Sequence, residues 1–104
     1  MHVQVVTYRL DDISDPEFIE ANREFAEMVS MAPGLLAKIW LKAPDGGTHG
    51  GVYLWRDQEA HQSFVSGELW GEVLEDRSVT DLTSHDYTVN DELTKLTQPG
   101  VNLL

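Results

Sequence analysis

Residues 35–56 read LLAKIWLKAPDGGTHGGVYLWR. Two short apolar runs rich in branched and aromatic side chains flank a stretch of Pro, Asp and Gly. This is the pattern of two antiparallel strands joined by a loop. In the first run, 35–42, the alternation of a strand gives Leu35, Ala37, Ile39 and Leu41 one wholly apolar face and Lys38, Trp40 and Lys42 a mixed one. In the second, 51–56, Tyr53 and Trp55 oppose Val52 and Leu54, and Ala43 to Gly50 form the loop.

Working outward, Pro33-Gly34 stops a helix just before the hairpin. Upstream of that stop, Phe18, Ala21, Phe25, Met28, Val29 and Ala32 recur at helical spacing as one stripe, with Glu20, Glu24 and Glu27 opposite. Ser14 or Asp15 caps this helix, and Pro16 and Glu17 suit its first turn. Before it, residues 2–9 alternate as a β-rich strand. Past the hairpin, Asp57 caps a second helix carrying Ala60, Phe64 and Val65, Gly67 breaks it, and Leu69, Trp70, Val73 and Leu74 restart a short piece. A last strand covers about 78–89, and Asn90 to Thr97 suit a short terminal helix.

The order is β-α-β-β-α-β. It predicts a ferredoxin-like α+β domain over residues 1–104: a four-stranded antiparallel sheet with helices on one face and the first and third strands paired in the middle. At 104 residues there is room for one core. Because both sheet faces carry bulky apolar groups and the helices cover only one, a homodimer packed sheet to sheet is expected, with Val101, Leu103 and Leu104 of the tail lapping onto the partner.

Composition removes several classes of function. Seven Lys+Arg against 18 Asp+Glu give a formal charge of −11, which disfavours nucleic acid and anionic membranes as partners. The absence of cysteine excludes disulfides, thiol nucleophiles and thiolate metal sites. No uncharged run exceeds ten residues and the first residues lack a signal-peptide pattern, so a cytoplasmic location is expected.

His2, His49, His61 and His85 form no paired metal-binding motif, so no metal site and no cofactor are expected. Ser84-His85-Asp86 is not a catalytic triad, because neighbours in a strand leave opposite faces. His85 itself is a candidate general base, with a hydrogen-bonded surface role as the alternative. Trp40, Tyr53, Trp55, Trp70 and Tyr87 suit either core packing or an apolar pocket for an aromatic ligand. Lys38 is a candidate holder of an anion or developing oxyanion, or else a lysine whose stem lies over the sheet. Gly46-Gly47 and Gly50-Gly51 precede no helix and suit a turn and close strand approach rather than a phosphate loop.

Pro33-Gly34-Leu35, Lys38-Ile39-Trp40, the segment Gly50 to Trp55 with its following acidic cap, and Val89-Asn90-Asp91-Glu92-Leu93 together resemble the YdhR-like mono-oxygenases of the dimeric α+β barrel group, which also holds the antibiotic-biosynthesis mono-oxygenases. The resemblance implies a small homodimer. From the better-understood quinone-forming members it implies oxidation of a small aromatic substrate by dioxygen without metal or flavin, using Asn, Trp, Tyr and Arg. Trp40, Trp55, Tyr53 and Tyr87 are of the right types, and Asn22 is the one asparagine inside a helix or strand core. The alternatives are a non-catalytic ligand-binding or structural homodimer and, more distantly, a haem binder.

Overall fold

A computed structural model describes residues 1–104. The elements are β1 (His2–Arg9), α1 (Asp15–Ser30), β2 (Leu35–Lys42), β3 (Thr48–Trp55), α2 (Gln58–Val65), α3 (Glu68–Glu75), β4 (Thr80–Thr88) and α4 (Asp91–Leu96). The four strands form one antiparallel sheet in the order β2-β3-β1-β4, the ferredoxin-like arrangement. No helix is long and apolar enough to cross a membrane.

Local chemistry sets the helix ends. Ser14, not Asp15, caps α1: its hydroxyl accepts the Glu17 N–H at 3.3 Å, and the Glu17 carboxylate accepts the Ser14 N–H at 3.1 Å. Asp57 caps α2 by accepting the Ala60 N–H at 2.8 Å. Gly67 stands at the start of α3, so the break expected there separates two helices. Gly34 turns the chain into β2 with φ +81°, and a Cβ there would collide with Ala60.

Two strands depart from the sequence expectation. β3 starts at Thr48 rather than residue 51, because Gly50 and Gly51 lie inside the strand and pair with Thr7 and Val6. Glycine is needed here: a Cβ on Gly50 would strike the Val6 carbonyl oxygen. In β2, a register shift between Leu35 and Ala37 breaks the wholly apolar face. Leu35 lies opposite Trp55 on the covered side, whereas Ala37, Ile39 and Leu41 oppose Leu54, Val52 and Gly50 on the open side.

The register assigns every strand residue to a face. The covered face carries His2, Gln4, Val6 and Tyr8 of β1, His49, Gly51, Tyr53 and Trp55 of β3, Lys38 and Trp40 of β2, and Leu82, Ser84 and Asp86 of β4. The core sits between this face and the helices, where Val6, Val29, Tyr53, Trp55, Ala60, Phe64 and Trp70 cluster. Tyr53 and Trp55 stack in parallel planes with centroids 5.9 Å apart, and Phe64 tilts onto both. The fully buried Gln4 accepts the Trp55 indole N–H at 3.1 Å and donates to Ser84 at 3.1 Å, so its side-chain amide is satisfied on both sides.

Replacing Gln4 by Ala leaves that indole N–H without an acceptor in a dry layer. Urea unfolding should show a loss of about 2–3 kcal/mol with an unchanged m value. Ser14→Ala, which removes only a helix cap, should cost about 1 kcal/mol in the same assay.

Candidate active site

The helices do not close completely over the covered face. A cavity of about 530 Å³ lies between the sheet and helices α1 and α3. Its floor is Val6, Tyr8, Lys38, Trp40, Gly50, Gly51 and Tyr53; α1 contributes Ala21, Asn22 and Phe25, and α3 contributes Trp70 and Val73. Gly51, on the covered face, is what makes the floor recede. A Cβ on Gly51 would come within 2.7 Å of Lys38 Cε, so the lysine stem occupies the room that the missing side chain leaves.

Lys38 is the chemically unusual member. Its Nζ sits 3.5 Å from the ring centroid of Trp40, 4.5 Å from that of Tyr53 and 5.2 Å from that of Phe25. Three aromatic faces attract the cation, but no carboxylate lies within ion-pair distance. Its neighbour on the strand, Lys42, has the ordinary arrangement: it is exposed and pairs with Asp15 at 2.6 Å. Burial lowers the Lys38 ammonium to about 7, so both its charged and its free amine forms are populated near neutral pH.

The phenols beside it respond oppositely. Burial raises Tyr53, with a small contribution from Tyr8. Burial raises Tyr8 as well, assisted by Asp76. Both stay protonated near neutrality and present O–H donors on the covered face. The rim is acidic: Asp11, Asp12, Glu17, Glu72 and Asp76 are all exposed lining residues. The cavity thus has an anionic mouth and a single titrating cation inside.

Of the residues the sequence points to, Lys38, Trp40, Tyr53 and Trp70 line this cavity. Trp55 does not: stacked behind Tyr53 and bonded to Gln4, it is core. His85 and Tyr87 lie apart from the cavity. They oppose Val5 and Val3 in the register, which puts them on the open sheet face with the whole sheet between them and the cavity. A single site built from His85 together with Lys38, Trp40 and Tyr53 of the same chain is therefore not formed, and the reason is the two-residue period of β4. The same period sends Ser84 to Gln4 and Asp86 to His2, which bears out the rejection of a triad. Tyr8 and Phe25 are lining residues that sequence reading missed. Phe25 shows in the α1 stripe but looks like ordinary core, and nothing local distinguishes Tyr8.

A second polar group lies off the cavity. His2, His61 and Asp86 converge, although their spacing suggests no metal motif. His2 Nε2 and Asp86 Oδ2 are 2.6 Å apart, and this hydrogen bond is the main cause of the lowered Asp86 pKa. Burial lowers His61, against the opposing pull of Asp86.

These features sit on a family background. The family described as "Putative mono-oxygenase ydhR" matches residues 4–99, and the chain belongs to it. No curated protein matches the sequence significantly. Among solved structures, the fold is similar to that of SnoaB, a cofactor-independent oxygenase from Streptomyces nogalater, with a TM-score of 0.68 at 14% identity over 86% of this chain and 92% of that one. It is also similar to a "putative antibiotic biosynthesis monooxygenase" from Deinococcus radiodurans, with a TM-score of 0.71 at 14% identity over 100% and 99% of the two chains. A third is the heme-degrader MhuD from Mycobacterium tuberculosis, with a TM-score of 0.67 at 20% identity over 86% and 96%. At these identities the similarity establishes the shared fold.

The lowered Lys38 has a consequence for stability. In the unfolded chain a lysine releases its proton at about 10.4, whereas in the folded chain Lys38 releases it at about 7. Between those values the unfolded state holds the extra proton, so stability rises with pH across that window. Lys38→Met should abolish the rise and be more stable than the parent at pH 6, on the order of 2 kcal/mol after allowance for water reaching the amine. Chemical denaturation at pH 6, 8 and 10 measures both effects.

Proposed function

We propose that this chain is a cofactor-independent mono-oxygenase of the cytoplasm, acting as a homodimer on a small phenolic or enolisable aromatic compound. One observation carries the reading: the unpaired Lys38 amine inside an aromatic-walled cavity. Membership of a mono-oxygenase family and the fold shared with SnoaB support it.

In this reading the substrate lies among the rings of Trp40, Tyr53 and Phe25, beside the Lys38 amine. The free amine of Lys38 takes the phenolic or enolic proton, a role that moves here from His85. The resulting ammonium, with the Tyr8 and Tyr53 hydroxyls, holds the anion in place. The anion then reacts with dioxygen. One oxygen atom enters the ring as a carbonyl and the other leaves as water, so a phenol and dioxygen give a quinone and water. The substrate supplies all the electrons. The acidic rim favours a compound that enters neutral and becomes anionic only beside Lys38. The heme-degrader MhuD shares the fold, but no histidine lines this cavity to ligate a haem iron.

The homodimer rests on the open sheet face. Only 14 of 104 residues are buried in the isolated chain, and Ile39 and Tyr87 on that face are 53% and 56% exposed beside Val3, Val5, Val52 and Leu54. A second copy covering this face removes that apolar area from water. Sedimentation at micromolar concentration should give twice 11.7 kDa, and Ile39→Asp should shift the protein to monomer; a monomeric parent would overturn the dimer.

Oxygen uptake with a panel of hydroxylated polycyclic aromatics tests the chemistry. The rate should increase with pH through an apparent pKa of about 7, as the free amine forms. Lys38→Met should lower kcat about a hundredfold, whereas His85→Ala should stay within about twofold. A ligand that raises Tm but is recovered unchanged under oxygen would instead identify a non-catalytic binding protein.

A further inference from the structure

His2 opens β1, His61 lies on α2 and Asp86 lies on β4, and the three meet on the covered face at the end of β1 remote from Tyr8. None of them lines the cavity, and the Gln4–Trp55 pair stands between the two sites. One ligand atom from each, namely a ring nitrogen of His2, a ring nitrogen of His61 and a carboxylate oxygen of Asp86, falls within 4.8 Å of the others. His2 and His61 are 4% and 7% exposed, with ring centroids 5.3 Å apart.

The cluster is not accounted for by its own hydrogen bonds. His2 and Asp86 satisfy each other at 2.6 Å. His61 Nδ1 is aimed at the same carboxylate oxygen but stops 3.7 Å away, too far for a hydrogen bond. It is shielded from water and has no partner. A buried ring nitrogen left in this state calls for a group that is absent from the bare chain.

We propose that His2, His61 and Asp86 form a binding site for a divalent first-row transition ion. Two imidazole nitrogens and a carboxylate suit an ion of the zinc, cobalt or iron(II) class and not calcium or magnesium, which favour oxygen. Metal bonds of about 2.0–2.2 Å hold neighbouring ligand atoms about 3–3.5 Å apart. The short His2–Asp86 approach must open, and the 3.7 Å gap and the His2–His61 separation, within 4.8 Å, must close, by rotation of the side chains. The ion gives His61 Nδ1 its missing partner. Asp86 is half-exposed, which leaves one side of the ion open to water or a small ligand. Bound there, the ion clips the start of β1 to α2 and β4.

The test is a titration of chelator-stripped protein at pH 7.5 with cobalt(II), followed by its visible absorption, and with zinc(II), followed by calorimetry and Tm. One equivalent per chain with a micromolar or tighter Kd and a higher Tm are expected. His61→Ala and Asp86→Asn should each weaken binding at least tenfold. Asp86 is exposed, so its variant keeps the protein folded even if His61→Ala does not, and circular dichroism checks both. His85→Ala, on the other sheet face, should bind as the parent does. No saturable binding up to millimolar metal would overturn the site. So would equal affinity in a folded His61→Ala or Asp86→Asn variant, which would mean that the amino-terminal region alone chelates. The titration reads binding only, so its result is separate from that of the oxygen-uptake assay.

Discussion

Adjacent residues in a strand leave the sheet on opposite sides, and in this chain the helices cover only one of those sides. Nearly everything distinctive about the molecule follows from that constraint. The covered side receives His2, Gln4, Trp55, Tyr53 and Lys38 and becomes polar cluster, core and cavity in succession along β1. The open side receives Val3, Val5, Ile39, Val52, Leu54, His85 and Tyr87, an apolar surface that the single chain has nothing to place against. The bulge near Leu36 matters for the same reason, since a shift of one residue exchanges the faces and lets Leu35 and Lys38 both point inward.

The second determinant is the electrostatic contrast within an acidic chain. Carboxylates outnumber cations 18 to 7, yet none reaches Lys38. Aromatic rings satisfy the ammonium only in part, and burial makes up the difference by lowering its proton affinity. A lysine in water, or one paired with an acid, is inert as a base near neutral pH. The same residue set between Trp40 and Tyr53, over the space left by Gly51, holds part of its population as the free amine there. The acids gather at the rim, where they remain hydrated and stay clear of the amine.

The features the sequence determined by itself are those that local chemistry decides. The cap at Ser14 or Asp15, the Pro33-Gly34 stop, the α1 stripe and the strand alternation each follow from side chains a few residues apart, and together they imply the β-α-β-β-α-β order and its sheet. Lys38, Trp40, Tyr53 and Trp70 were legible as candidates because a cation and large aromatics stand out at their positions. What lay beyond local chemistry was left to the tertiary structure. Only pairing with β1 shows that Gly50 and Gly51 belong to β3, because a glycine pair reads as loop until another backbone needs the space. Only packing separates Trp55 in the core from Trp40 in the cavity wall, and only the choice of covered face removes His85 from the site. His2 and Asp86 lie 84 positions apart, and His61 reaches them from a helix. No spacing rule finds such a group, because the distance that matters is set by strand pairing and helix docking rather than by the chain.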